Sequence, residues 1–252
     1  MRVLVTASTN GIGLGVAKVL LQNGHKVVIN GHNEKNMEKA LETLKPMGSV
    51  HGVLADISVL EEVERLVKDS IGFLGGLDAL VYIAPPPKPG SFEELQLEEW
   101  EGAARSLLLS PVWLTKLTLK YIKEAKGSYI YLSSYVIKEP DKGLALSNVV
   151  RISLAGLTKT LSKELGKYGI RVNMIMPGWI ETARVDEVLQ KMAMAENKGK
   201  EELLDEIKNK IPLKRIAKPE EVGQLVEYLI SKNTYINGAS IPIDGGILNS
   251  VF

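Results

Sequence analysis

Short, unbroken apolar runs alternate along this chain with longer stretches in which apolar residues return every three or four positions. The runs opening at Arg2 and at 26–30, 50–55, 79–83, 128–132, 171–176 and 239–243 read as strands, and the continuous β-branched run at 26–30 is of the kind buried on both faces of a parallel sheet. The stretches ending at Leu20 and covering 34–44, 60–71, 97–124, 147–165 and 219–230 carry helical periodicity. Strand and helix alternate from end to end. This predicts an α/β fold: a single-domain, Rossmann-like, doubly wound sheet of about seven parallel strands flanked by helices, with right-handed crossovers.

No Pro/Gly/Ser-rich or charged spacer separates two self-sufficient halves, so 1–252 is expected to form one domain. The run PPPKPG at 85–90 reads as a rigid loop, because helical periodicity resumes soon after it. The one segment that looks added is 181–211, polar and helical, with Gly199 dividing it. It follows a strand end, where open α/β sheets bind ligands, and is expected to be either a helical lid or a solvated helical pair.

The first strand runs into a small-residue turn that opens an amphipathic helix. Such a turn leaves the helix's first N–H groups unpaired, and Gly11 and Gly13 remove the Cβ atoms that would hold a ligand off. A diphosphate fits this chemistry; a plain strand-to-helix connection is the alternative.

Composition narrows the partners. A formal net charge of +1, with no long Lys/Arg block, offers no field for nucleic acid or an anionic membrane. Cys is absent and the only histidines are His25, His32 and His51, which excludes disulfides and thiolate chemistry and argues against a bound metal. No apolar run approaches the ~20 residues that span a bilayer. The first strand begins at Arg2, leaving no room for a signal peptide, so a cytoplasmic protein is expected. Lys and Glu richness without Cys points to a thermophilic source.

Several motifs then coincide over nearly the whole chain. Thr6-Ala7-Ser8-Thr9-Asn10-Gly11-Ile12-Gly13 resembles the Thr-Gly-x-x-x-Gly-x-Gly turn of short-chain dehydrogenases/reductases, with Ala7 for the first glycine. Asp56-Ile57 resembles that family's adenine-contacting pair. The segment Pro177-Gly178-Trp179-Ile180-Glu181-Thr182 resembles the one that closes over nicotinamide, with Ile180 and Thr182 holding the carboxamide. Pro212-Leu213, Pro219-Glu220-Glu221 and Asp244-Gly245-Gly246 match the family's carboxy-terminal signature.

The resemblance implies a nicotinamide dinucleotide held by Thr6, Ser8, Thr9, Asn10, Gly11, Ile12, Gly13, His32, Asn33, Asp56, Ile57, Ala84, Arg151, Pro177, Gly178, Ile180 and Thr182. The second strand ends in Asn30-Gly31-His32-Asn33, without the acid that takes the ribose hydroxyls of NAD, which favours NADP.

The family's catalytic pattern is not kept. A typical member has Ser after the fifth strand, Tyr thirteen residues on, and Lys one helical turn beyond. Here those positions hold Ser134, Ser147 and Arg151. The family's helix Asn falls at Leu107, and its Asn-Asn-Ala-Gly turn reads Tyr82-Ile83-Ala84-Pro85. A hydroxyl and a guanidinium cannot replace a phenol acidified by an ammonium, although Arg151 can contact a ribose or polarise an oxyanion. Ser147 also suits a helix N-cap and Arg151 a surface ion pair.

The leading expectation is an NAD(P)-dependent oxidoreductase acting on a carbonyl or alcohol through Ser134, Ser147 and Arg151. One alternative is a catalytically silent nucleotide-binding paralogue with a scaffolding or sensing role. Another is a cofactor-independent enzyme similar to halohydrin dehalogenases, which share the arginine. The resemblance also implies a homo-oligomer, a dimer or tetramer, built by pairing the helices at 97–124 and 147–165.

Overall fold

The computed structural model describes residues 1–251, the side chains at 184, 195 and 196 aside. Seven strands form one sheet: β1 (Arg2–Val5), β2 (Lys26–Gly31), β3 (Val50–Leu54), β4 (Ala79–Tyr82), β5 (Ser128–Leu132), β6 (Arg171–Pro177) and β7 (Ser240–Ile243). They lie in the order β3-β2-β1-β4-β5-β6-β7 and every pairing is parallel. The order reverses between β1 and β4, where neighbouring connections leave toward opposite faces and open a crevice at the strands' carboxyl ends.

The pleat explains the unbroken apolar runs. Leu4, Val28, Leu80, Tyr129 and Val172 face one core, with Leu66 of α3 (Leu60–Leu74), Leu114 of α5 (Ser110–Ala125) and Leu154 of α7 (Ser153–Leu165). Val3, Val27, Val81, Ile130 and Ile175, each an odd number of positions along its strand from these, face the other, with Val16 of α1 (Gly11–Gln22), Met37 of α2 (Glu34–Leu44) and Val226 of α10 (Pro219–Glu227). Successive side chains point to opposite faces, so the strands covered on both sides are buried along most of their length, while the edge strands β3 and β7 keep exposed residues such as His51 and Ser240. Helix α1 lies close against α10. A Cβ on Gly15 would stand 2.4 Å from Pro219 Cβ, so this contact needs glycine.

Two helices differ from the sequence expectation. The stretch 97–124 is α4 (Leu97–Ala104) and α5 joined through a π-type turn at Arg105–Leu109, where the Ser110 N–H reaches back to the Arg105 carbonyl. The stretch 147–165 is α6 (Ala145–Val150) and α7, interrupted at Arg151 and Ile152. Polar contacts from outside the helix hold that interruption: the Ser133 hydroxyl donates to the Arg151 carbonyl (3.3 Å), and the Asn148 amide donates to the Asp141 carbonyl (2.8 Å).

Segment 181–211 contains α8 (Ala183–Glu196) and α9 (Lys200–Lys210), with Gly199 at the amino-terminal cap of α9. The pair has its own apolar cluster, in which Leu189, Leu203, Ile207 and Ile211 are buried. Among the described residues no helix is long and apolar enough to cross a membrane, and no group of His, Asp and Glu is placed to hold a metal ion.

Candidate functional site

A cleft of about 450 Å³ lies along the carboxyl ends of the strands. One end is built by the turn after β1. Asn10 precedes α1 in an extended conformation and its side chain makes no cap hydrogen bond, so the helix presents its first N–H groups with no carboxylate in its first turn. Thr9, Asn10, Gly11, Ile12 and Gly13 all line the cleft. Gly11 takes a left-handed φ of 50°, and a Cβ on Gly13 would sit 2.3 Å from the Ala7 carbonyl oxygen. The helix dipole and unpaired donors fit a pyrophosphate.

Thr6 and Ser8 do not line this cleft; both are fully buried and serve the turn itself. The Thr6 hydroxyl donates to the Ile83 carbonyl (2.7 Å) and accepts the Ile83 N–H (2.8 Å), locking β1 to the end of β4. The Ser8 hydroxyl donates to the Val5 carbonyl (2.7 Å) and accepts the Asn30 N–H (2.9 Å).

No motif singles out Asn30 as a site residue, yet it organises this end. Its side-chain oxygen accepts the Ala7 N–H, and its amide donates to the carbonyls of Val53 and Ala55. His32, Asn33, Asp56 and Ile57 line the same end of the cleft. Asn33 also caps α2 by accepting the Asn36 N–H (3.0 Å), and Asp56 accepts the Ser58 N–H (2.8 Å). Asn33 and Asp56 therefore shape their loops as well as the wall.

The other end gathers Ala84, Ser134, Ser147, Arg151, Pro177, Gly178, Ile180 and Thr182. Arg151 is only 9% exposed, so it lies within the cleft wall rather than on the open surface. Ser147 is the third residue of α6, with Leu144 at the cap position, so it is not the N-cap. Arg151 stands one turn further on, and both line the cleft. Ser134 opens a 3₁₀ turn at Tyr135–Ile137 and accepts the Val136 N–H (3.4 Å), which leaves its own O–H to donate elsewhere.

The nearby phenols are already committed. Tyr135 lines the cleft, but its hydroxyl donates to Asp141, and burial followed by that carboxylate pushes its pKa far above the usual phenol range. Tyr82 is fully buried and donates to the Ser106 carbonyl in the π-type turn. Burial raises its pKa strongly, with the Arg151 charge acting the other way. Tyr131 is buried too, bonded to the Thr115 hydroxyl at 2.6 Å, and burial again raises it. None of these three is an acid matched to proton exchange near neutrality. Leu107, fully buried at the π-type turn, adds no polar group.

The strand-end segment 177–182 closes one wall. The Glu181 N–H donates to the Ala217 carbonyl (2.8 Å) and the Ala217 N–H to the Trp179 carbonyl (3.0 Å). These bonds pin the entry to α8, whose Val185, Glu187 and Val188 face the cleft beside Trp179. Trp179 lies within the motif at 177–182, whereas Val185, Glu187 and Val188 belong to no motif, since their place depends on how α8 folds back.

Fold and cleft together define an α/β protein of the Rossmann class. A family model described as Enoyl-(Acyl carrier protein) reductase matches residues 6–248. Dehydrogenase/reductase SDR family member 4 of Bos taurus is 34% identical over 250 residues, covering 98% of this chain and 86% of that protein. The chain belongs to the short-chain dehydrogenase/reductase family.

Among solved structures, L-sorbose reductase from Gluconobacter frateurii, complexed with NADPH and L-sorbose, is 26% identical with a TM-score of 0.93, covering 99% of this chain and 97% of that one. A single-substitution variant of actinorhodin polyketide ketoreductase with NADPH is 29% identical with a TM-score of 0.94, covering 98% and 97%.

Proposed function

We propose that this chain is an NADP-dependent oxidoreductase acting on a carbonyl or alcohol, with Ser134, Ser147 and Arg151 at its reacting end. One observation carries the reading: a single cleft runs from the exposed N–H groups of α1 to Arg151 and the 177–182 wall. The exposed His32 at the end of β2, where no acid stands, favours NADP over NAD, as do relatives solved with NADPH. The nicotinamide cofactor, when bound, supplies or accepts a hydride. The α1 amino terminus, Asp56 and Ile57, and Ile180 and Thr182 are the groups that would hold it.

At the substrate oxygen the chain offers hydrogen-bond donors. Arg151 supplies a fixed positive charge and keeps its proton at any working pH, so it stabilises developing negative charge without protonating it. Ser134 donates its O–H from a fixed turn. Among the described residues the Ser147 hydroxyl has no hydrogen-bond partner, which leaves it for a ligand. The proton itself comes from solvent. Helices α8 and α9 act as a lid over this end, and the cytoplasm is the compartment that fits the composition.

The committed Tyr135 hydroxyl favours a second reading, a nucleotide-binding paralogue without turnover. The double change Ser147→Tyr with Arg151→Lys separates the two. A redox pocket should gain on the order of 10²- to 10⁴-fold in rate on a panel of ketones, sugars and alcohols. No turnover by either protein, with NADPH binding intact by calorimetry, would leave the silent reading; binding of neither NADPH nor NADH would end both.

A further inference from the structure

We propose that Glu139 is a positioning residue that holds the α8–α9 lid over the reacting end through the carboxy-terminal segment 247–250. The inference rests on the reading of that end as a substrate site. Glu139 does not line the cleft. Its carboxylate instead accepts two successive backbone N–H groups, from Asn249 (2.8 Å) and Ser250 (2.7 Å), and the Asn249 side-chain amide (3.3 Å). Three donors converge on one carboxylate from a segment more than a hundred residues away in sequence.

The segment is anchored at its start as well. Asp244, just past β7, accepts the Gly246 N–H (3.0 Å) and the Leu248 N–H (3.1 Å). The turn between uses Gly245 and Gly246 at φ 67° and 85°, and a Cβ on Gly245 would stand 2.6 Å from Ile211 of the lid cluster. Between the two anchors, Ile247 packs with that cluster, whose core is Leu189, Leu203, Ile207 and Ile211.

On its other side Glu139 belongs to the loop that walls the cleft. Its N–H donates to the Tyr135 carbonyl (3.3 Å), and Asp141, two residues on, takes the Tyr135 hydroxyl. One carboxylate therefore joins the lid's apolar cluster to the substrate-side loop by way of the chain end. Loss of that joint frees the lid without touching the turn at the amino end of α1, although Thr182, at the cap of α8, lies beside that turn.

Hydrogen exchange on the full chain without cofactor tests this. Hydrogen bonds to a charged group are strong enough that Glu139→Ala should speed exchange in α8 and α9 roughly tenfold, with α1 and the sheet unchanged. Glu139→Gln, keeping a neutral acceptor, should fall between, and Ile247→Ala should loosen the same two helices. With a turned-over substrate, KM for that substrate should rise. Unchanged α8 exchange in both alanine variants, or a rise spread evenly over the whole molecule, overturns the proposal. Exchange needs no turnover, so failure to find a substrate counts against the oxidoreductase reading and leaves this result standing.

Discussion

The side-chain oxygen of Asn30 accepts the backbone N–H of Ala7 at 3.2 Å. Ala7 stands at φ 44°, in the left-handed region, where the family turn has glycine. An alanine there costs about 1–2 kcal/mol. Asn30, 1% exposed, offsets that strain by tying the turn to the ends of β2 and β3. Removing it leaves one N–H and two carbonyls without this partner.

Asn30→Ala should therefore destabilise the protein by roughly 2–4 kcal/mol and weaken NADPH binding, read by urea melts and calorimetry. Ala7→Gly should be neutral or stabilising by up to about 1 kcal/mol. A destabilised Ala7→Gly would show that the turn is not strained.

The reacting end should lack a phenol matched to proton exchange near neutrality. The turnover rate of the wild type is expected to stay level between about pH 6 and pH 9, because Arg151 remains charged and the Tyr135 phenol is pushed up by burial and Asp141. Arg151→Met should lower kcat/KM by on the order of 10²- to 10³-fold. The Ser147→Tyr, Arg151→Lys variant should acquire a pH-dependent limb, as a phenol beside an ammonium titrates.

Stability should fall on mild acidification through His25. Its ring is 8% exposed and sits 3.1 Å from the amino terminus, and burial followed by that charge holds its pKa below 6.5, against a smaller upward pull from Glu227. The folded state thus resists protonation more than the unfolded chain does. The His25 contribution is fully present above the unfolded value and is lost as pH falls through it toward the lower folded value. Melting temperatures of the wild type should drop between about pH 8 and pH 5, and His25→Gln should flatten that slope.

Association should use the π-type turn and the broken helix. Leu108 and Leu109 (41% and 39% exposed) and Val149 and Ile152 (58% and 53%) leave apolar side chains on α4–α5 and α6–α7. Sedimentation of Leu109→Glu with Val149→Glu should give a smaller species than the wild type. A wild type that already sediments as a monomer removes this interface.

Much of the architecture is written locally. Unbroken apolar runs mark the inner strands such as β1, β2 and β4, which are covered on both faces, while the edge strands β3 and β7 keep exposed positions. Gly11 and Gly13 mark the cradle because glycine takes the left-handed turn without strain and admits the close approach at Gly13. The spacing from Ser134 to Ser147 and Arg151 likewise shows, without coordinates, that the family's phenol and ammonium are absent. Periodicity could not show the interruption at Arg151, since Ser133 and Asp141 supply its support from other segments.

Tertiary structure alone decided what those residues do with their hydrogen bonds. Thr6 and Ser8 turn inward to brace the turn, Asn30 reaches Ala7, the Tyr135 hydroxyl is spent on Asp141, and Glu139 takes the chain end. Each is a contact whose partner is set by packing rather than by sequence neighbourhood. A hydroxyl or carboxylate has the same chemistry wherever it lies, and only the fold determines whether its donors and acceptors face a ligand or the protein.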